Sequence, residues 1–343
     1  MRILLILLMI SVSTSCHKKN AKFSLQGKMD GFSNGSILYL IAAESNDIID
    51  SVLIENNSFY LAPEIAKYPL KVILKSNDNS LYKSFWIENS PMVFKARANT
   101  FEKAVVTGSD SETMYRTLYG TIDTLSKKEG EKFLMDFVKT HADHLLGAVV
   151  LSEWYILWKK EKTEPLYQLL SDDNKKSAYG EEILRYISLN KNHKIGDLFT
   201  DFELTDQYGS KTKLSNIAAK WILLEFWASW CAPCRTDNKK LLSIYNSFNP
   251  LGFDIFQVSL DHDRKKWLHA IEQDKLVWTN ASDLGGWNNE AAIIYGISLL
   301  PSNLLLNSDG IIIAQNLNMK KLEQKLVELT SAVNSEGREV NQK

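Results

Sequence analysis

Cysteine is scarce in this sequence: 343 residues hold three, at positions 16, 231 and 234. A structural zinc site needs about four Cys or His ligands, commonly two close pairs. There is no second cysteine pair, and His262 and His269 are the histidines that follow the first. Charge of either sign is equally short of excess. Forty Lys and Arg stand against 41 Asp and Glu, a net charge of −1. That balance gives no long-range pull toward nucleic acid or anionic lipid. Long blocks of like charge and low-complexity stretches are also missing. The longest apolar run, "ILLILLMI" at 3–10, is too short for a bilayer, which takes about 20 residues. What remains is a composition that is 45% hydrophobic, 10% aromatic and 24% charged, that of an ordinary globular protein. Its length suggests two or three domains.

The first sixteen residues stand apart. A basic start at Arg2, the short apolar run and the small polar "SVSTSC" fit a signal peptide. Cys16, directly after the small residues, resembles the lipobox cysteine of bacterial lipoproteins. The resemblance implies lipidation of Cys16 as the first residue of the mature chain. Ser13 stands where leucine is usual, and plain secretion is the alternative. With Cys16 lipidated, Cys231 and Cys234 are the only free thiols, in a compartment that favours disulfides.

Residues 22–108 read as a small all-β domain, an antiparallel sandwich or barrel. Short β-branched or aromatic runs at 36–42, 50–62, 70–75, 84–88 and 92–98 alternate with "DGFSNG", "ENN" and "SNDNS". Residues 109–192 change to helical periodicity, starting behind the capping signal "SDSE". His141 and His144 share helical spacing as metal ligands would, but no third ligand lies near, so solvated surface or a cap is the plainer expectation. From 193 to 335 apolar strands alternate with helices, which implies a mixed sheet with crossover connections. "WILLEFWAS" (221–229) reads as its buried central strand. Residues 336–343 read as a disordered tail.

Cys231 and Cys234 fall where that strand hands over to a helix, an expected exposed junction. A c-type haem would need histidine after Cys234, where Arg235 stands. At a helix N-terminus, unpaired N–H groups and the dipole favour thiolate over thiol, and thiolate is the attacking form. Pro233 is tolerated in a first helical turn. The pattern gives an activated nucleophile, Cys231, and a recessed partner, Cys234.

"LLEFWASWCAPCR" resembles the active-site strand and loop of the thioredoxin superfamily. "IGDLFTDFELTDQYGSKTKLSNIAAKWILLEFWASWCAPCR" and "GWNNEAAIIYGISLLPSNLLLNSDGIIIAQNL" are similar to the two halves of its TlpA/ResA-like branch, over about residues 195 to 333. The resemblance implies a thioredoxin-like α/β fold, a mixed sheet flanked by helices, behind the β-domain and helical linker. It also implies thiol-disulfide exchange with protein dithiols or disulfides in the bacterial envelope, without a cofactor or metal and with a membrane electron donor as one possible partner. Glu225 becomes the buried acid that accepts the proton of Cys234, and a lone carboxylate in an apolar strand is costly unless used. Pro301 becomes a cis proline shaping the partner groove together with Leu300, Trp230 and Pro233. Leu300 replaces the more usual threonine or valine. Asp237 and Lys239 replace a glutamate and a proline that often follow the second cysteine. Two other readings stay open: a peroxiredoxin-like peroxidase, and a surface binding lipoprotein that works through its β-domain.

Overall fold

The computed structural model describes residues 22–340. The expected signal segment and Cys16 therefore lie outside the described residues. The chain divides into two compact units, Met1–Asp136 and Phe137–Lys343.

Among its described residues the first unit holds eight strands: β1 (Ser24–Asp30), β2 (Ile37–Ala42), β3 (Ile48–Leu53), β4 (Ser58–Leu61), β5 (Leu70–Lys75), β6 (Tyr82–Ile87), β7 (Pro91–Arg97) and β8 (Val105–Thr107). They form two four-stranded sheets, ordered β4-β1-β7-β8 and β3-β2-β5-β6. Alternate residues of both sheets meet in one core that includes Leu25, Leu40, Leu74, Phe85 and Phe94, so the architecture is a sandwich. It is not wholly antiparallel, because β1 runs parallel to β7. In sequence β1 does not declare itself as a strand, and the reason is Gly27. That residue occupies an inward position between Leu25 and Met29, where the ring of Phe59 fills the space of a side chain, so the apolar alternation is interrupted.

Helix α1 (Asp110–Ile122) starts at the expected cap, with Ser109 Oγ accepting from Glu112 N at 3.0 Å. Glu112 does not reach back to close a capping box. It is buried and accepts from Trp86 N on β6 (3.0 Å), while Glu88 accepts from Ser111 N (2.7 Å). The first helix of the 109–192 segment is therefore fastened to the β-unit. Helix α2 (Lys127–Thr140) carries the chain across to the second unit.

In the second unit the remaining helices come first: α3 (Leu145–Leu169), α4 (Asp172–Lys175) and α5 (Ala178–Leu189). His144 caps α3, its Nδ1 accepting from Leu146 N (3.2 Å), and His141 stacks on Phe137 with ring centroids 4.2 Å apart. Among the described residues no group of three His, Cys, Asp or Glu is placed to hold a metal ion.

Strands β9 (Glu203–Asp206), β10 (Lys211–Lys213), β11 (Trp221–Trp227), β12 (Phe253–Ser259), β13 (Thr279–Ser282), β14 (Ser302–Asn307) and β15 (Ile312–Gln315) form one mixed sheet. Its order is β10-β9-β13-β12-β11-β14-β15. β11 is central, parallel to β12 and antiparallel to β14. Helix α6 (Ala232–Phe248) crosses from β11 to β12, and α7 (Arg264–Asp274) crosses toward β13. The short α8 (Glu290–Ile294) and the long α9 (Met319–Val340) complete the unit. α9 continues past the domain end at 335 expected from sequence. All seven residues of β11 are buried. Trp221, Leu223 and Trp227 face the core beneath α6, α7 and α9, and Ile222, Leu224 and Phe226 face the opposite core. This two-residue period decides the side on which Glu225 projects. It falls on the face of Leu223 and Trp227.

Candidate active site

Cys231 is the N-cap of α6 and is disulfide-bonded to Cys234, with Cα atoms 5.3 Å apart. Its sulfur also accepts from Cys234 N at 3.3 Å. The junction is not the exposed one expected. Trp230, Ala232 and Pro233 are exposed, but the sulfurs tuck beneath them, with Cys231 5% and Cys234 0% accessible. Both belong to the core cluster of Leu223, Trp227 and Leu241. Cys234, Asn238 and Leu241 lie along the inward stripe of the helix, which draws the pair against the sheet.

Glu225 is wholly buried on the same sheet face. Removal from water pushes its carboxyl up from 4.5 to about 7; a hydrogen bond from Gln257 pulls it down, and the charge of Asp237 adds to the rise. Asp237 thus keeps an electrostatic role despite its shorter side chain, and pairs loosely with Lys240 at 4.0 Å.

The Leu300–Pro301 peptide is cis, as the resemblance implied. Ser302 pairs with Phe226, so Pro301 lies at the end of β11 from which the cysteine loop emerges. Leu300 packs against the cluster that contains both cysteines. Trp230 is not a core residue. It is 55% exposed, and its ring lies 6.4 Å from that of Trp287.

Several residues of the site were not anticipated. Ser229 is held by the buried Asp261, whose Oδ2 accepts from Ser229 N (2.8 Å) and whose Oδ1 accepts from Ser229 Oγ (2.5 Å). Arg235 grips Asp274 through two hydrogen bonds (2.5 and 2.8 Å) and donates to Ser229 O at 3.3 Å. The loop before Cys231 is thus fixed from both sides. Trp287 sits in a turn to which α5 is tied, Arg185 donating to Asn288 O at 3.0 Å. Gln257 carried a signal that went unread. With Ser259, it is an uncharged polar residue flanked by apolar neighbours in "FDIFQVSLD", an anomaly of the kind that marks Glu225.

A thioredoxin-like sheet whose central strand leads into a helix capped by a cysteine pair defines a class of redox protein. Comparison with known proteins agrees. Residues 195–315 match the AhpC/TSA family, and residues 23–115 match a domain of unknown function, DUF4369. The thiol-disulfide oxidoreductase ResA of Bacillus cereus is 28% identical over 148 residues, covering 42% of this chain and 84% of ResA. Among solved structures, a thiol-disulfide oxidoreductase from Bacteroides fragilis is 34% identical, covering 39% of this chain and 99% of that one, with a TM-score of 0.37. The thioredoxin domain of a thiol-disulfide oxidoreductase from Bacteroides vulgatus is 28% identical, covering 40% and 99%, with a TM-score of 0.38. The C-terminal domain is thioredoxin-like, and the relatives it resembles are named thiol-disulfide oxidoreductases.

Proposed function

We propose that the protein reduces disulfides of other proteins outside the cytoplasm through the Cys231–Cys234 couple. The observation that carries this reading is a disulfide capping α6 above a buried, proton-hungry carboxyl. In the reduced protein the Cys231 thiolate attacks one sulfur of a partner disulfide. That S–S bond breaks, a mixed disulfide forms, and the partner's released thiolate takes a proton from solvent. Cys234 then gives its proton to the Glu225 carboxylate and attacks Cys231 Sγ. The second partner thiolate leaves, the partner has gained two electrons, and the couple is oxidised. Trp230, Pro233, Leu300 and Pro301 form the surface against which the partner chain lies.

The direction of electron flow is read by equilibrating the couple in graded thiol buffers. A potential near about −270 mV marks a reductant, and one near about −120 mV marks an oxidant and overturns the direction proposed. Peroxide consumption faster than disulfide exchange would instead favour the peroxidase reading.

The signal segment and Cys16 support a lipid anchor on the outer side of a membrane. Among the described residues no helix is long and apolar enough to cross one. Mass spectrometry of membrane-extracted protein is expected to find a chain that starts at a lipidated Cys16. A mature chain with an unmodified start would leave plain secretion.

A further inference from the structure

Glu225 does not lie alone. Gln257 is its register partner on β12, on the same face and wholly buried. A glutamine amide offers two N–H groups and one carbonyl oxygen, and here each has a partner. Gln257 Nε2 donates to Glu225 Oε2 (2.8 Å) and to Asn238 Oδ1 (3.1 Å). Gln257 Oε1 accepts from Trp278 Nε1 (2.7 Å). Asn238 is fixed in turn, its Nδ2 donating to Asp274 Oδ2 (2.8 Å), and Asp274 is held by the two hydrogen bonds from Arg235. Indole N–H only donates and ionised carboxylate only accepts, so the two ends of this chain fix the direction of every amide between them. With Trp278 at one side and Asp274 at the other, Gln257 presents N–H, never C=O, to Glu225. Glu225 Oε1 has no partner among the described residues.

We propose that Trp278, Asp274 and Asn238 act as positioning residues. They lock the Gln257 amide so that Glu225 Oε2 always accepts a hydrogen bond and any proton on Glu225 is carried by Oε1. This deepens the reading of Glu225 as proton acceptor for Cys234 and rests on it for its purpose, although the geometry of the lock does not. A donor aimed at one oxygen favours the charged form, whereas a flipped amide would favour the neutral form. The Arg235–Asp274 pair, immediately beyond Cys234, therefore bears on the proton affinity of Glu225 through two amides, without touching it.

Infrared difference spectra of the oxidised full-length protein, titrated with acid, read this directly. A protonated-carboxyl C=O band that disappears in Glu225→Gln is the Glu225 signal. In Gln257→Leu the C=O at Oε2 loses its donor. The band is expected to move to higher wavenumber, and its pH midpoint to rise by about one unit. Trp278→Phe, which leaves Gln257 in place but frees its amide to turn, is expected to move both in the same direction by less. It also serves as the test if Gln257→Leu does not fold. A merely structural role for Trp278 or Gln257 leaves band and midpoint unmoved, and that result overturns the proposal. Wild-type exchange rates in Glu225→Gln would instead remove the acid from the reaction and leave the lock intact, so the two readings fail separately.

Discussion

Replacing Cys231 by serine is expected to reduce disulfide exchange to the uncatalysed rate, a loss of about three orders of magnitude or more. The sulfur is the attacking atom, and a serine hydroxyl in its place stays protonated at neutral pH. The other thiol offers no substitute, because Cys234 has no accessible surface. Cys234→Ser should behave in the opposite manner. The attacking sulfur survives, the resolving one is gone, and the protein should accumulate as a mixed disulfide with its partner, visible on a non-reducing gel and released by dithiothreitol. If both variants lose activity equally and no adduct forms with Cys234→Ser, the assigned order of attack is wrong.

The second large effect concerns pH and stability. The Glu225 carboxyl is raised by burial from 4.5 to about 7, so the folded protein holds a proton that the unfolded chain releases at lower pH. Stability from this group is complete below about pH 4.5 and declines as pH rises through about 7, to a total of about 3 kcal/mol. Glu225→Gln removes this dependence. Chemical denaturation of the oxidised proteins should find the variant little changed at pH 5 and more stable than wild type by about that amount at pH 8. Glu112 in the other unit is also buried and raised, but it is common to both proteins and cancels in the comparison. A wild-type-minus-variant difference that is flat with pH would mean that the carboxyl is not held neutral.

Sequence made the site visible because its signals are local. A charge within "WILLEFWA", two cysteines one turn apart and an apolar run followed by a helix each declare themselves within a dozen residues. The β11–α6 junction and the cap at Ser109 are legible on the same ground. Contacts between distant segments are not. Asp274 lies 40 residues beyond Cys234 at the end of a charged helix, and nothing near it in sequence sets it apart from a solvated acid. Asp261 is equally plain in "SLDHD", yet it is 2% accessible and holds the loop before Cys231. The depth of the sulfurs is not legible in sequence, because a strand-to-helix junction is usually surface, and the inward stripe of α6 pulls this one under. β1 escaped notice for the reverse reason, since its Gly27 erases the alternation that would mark a strand.

The sulfur of Cys231 holds two positions at once, one half of a covalent bond and the acceptor that closes the first turn of α6. Reduction changes both. A bridged sulfur is a weak acceptor, whereas a thiolate receives a charge-assisted hydrogen bond at the positive end of the helix. Electrons delivered to the couple thus tighten the helix start, and electrons withdrawn loosen it. The chemical poise of the protein and the firmness of one helical turn are then a single quantity read in two ways, so a change that frays that turn also shifts the balance between giving and taking electrons.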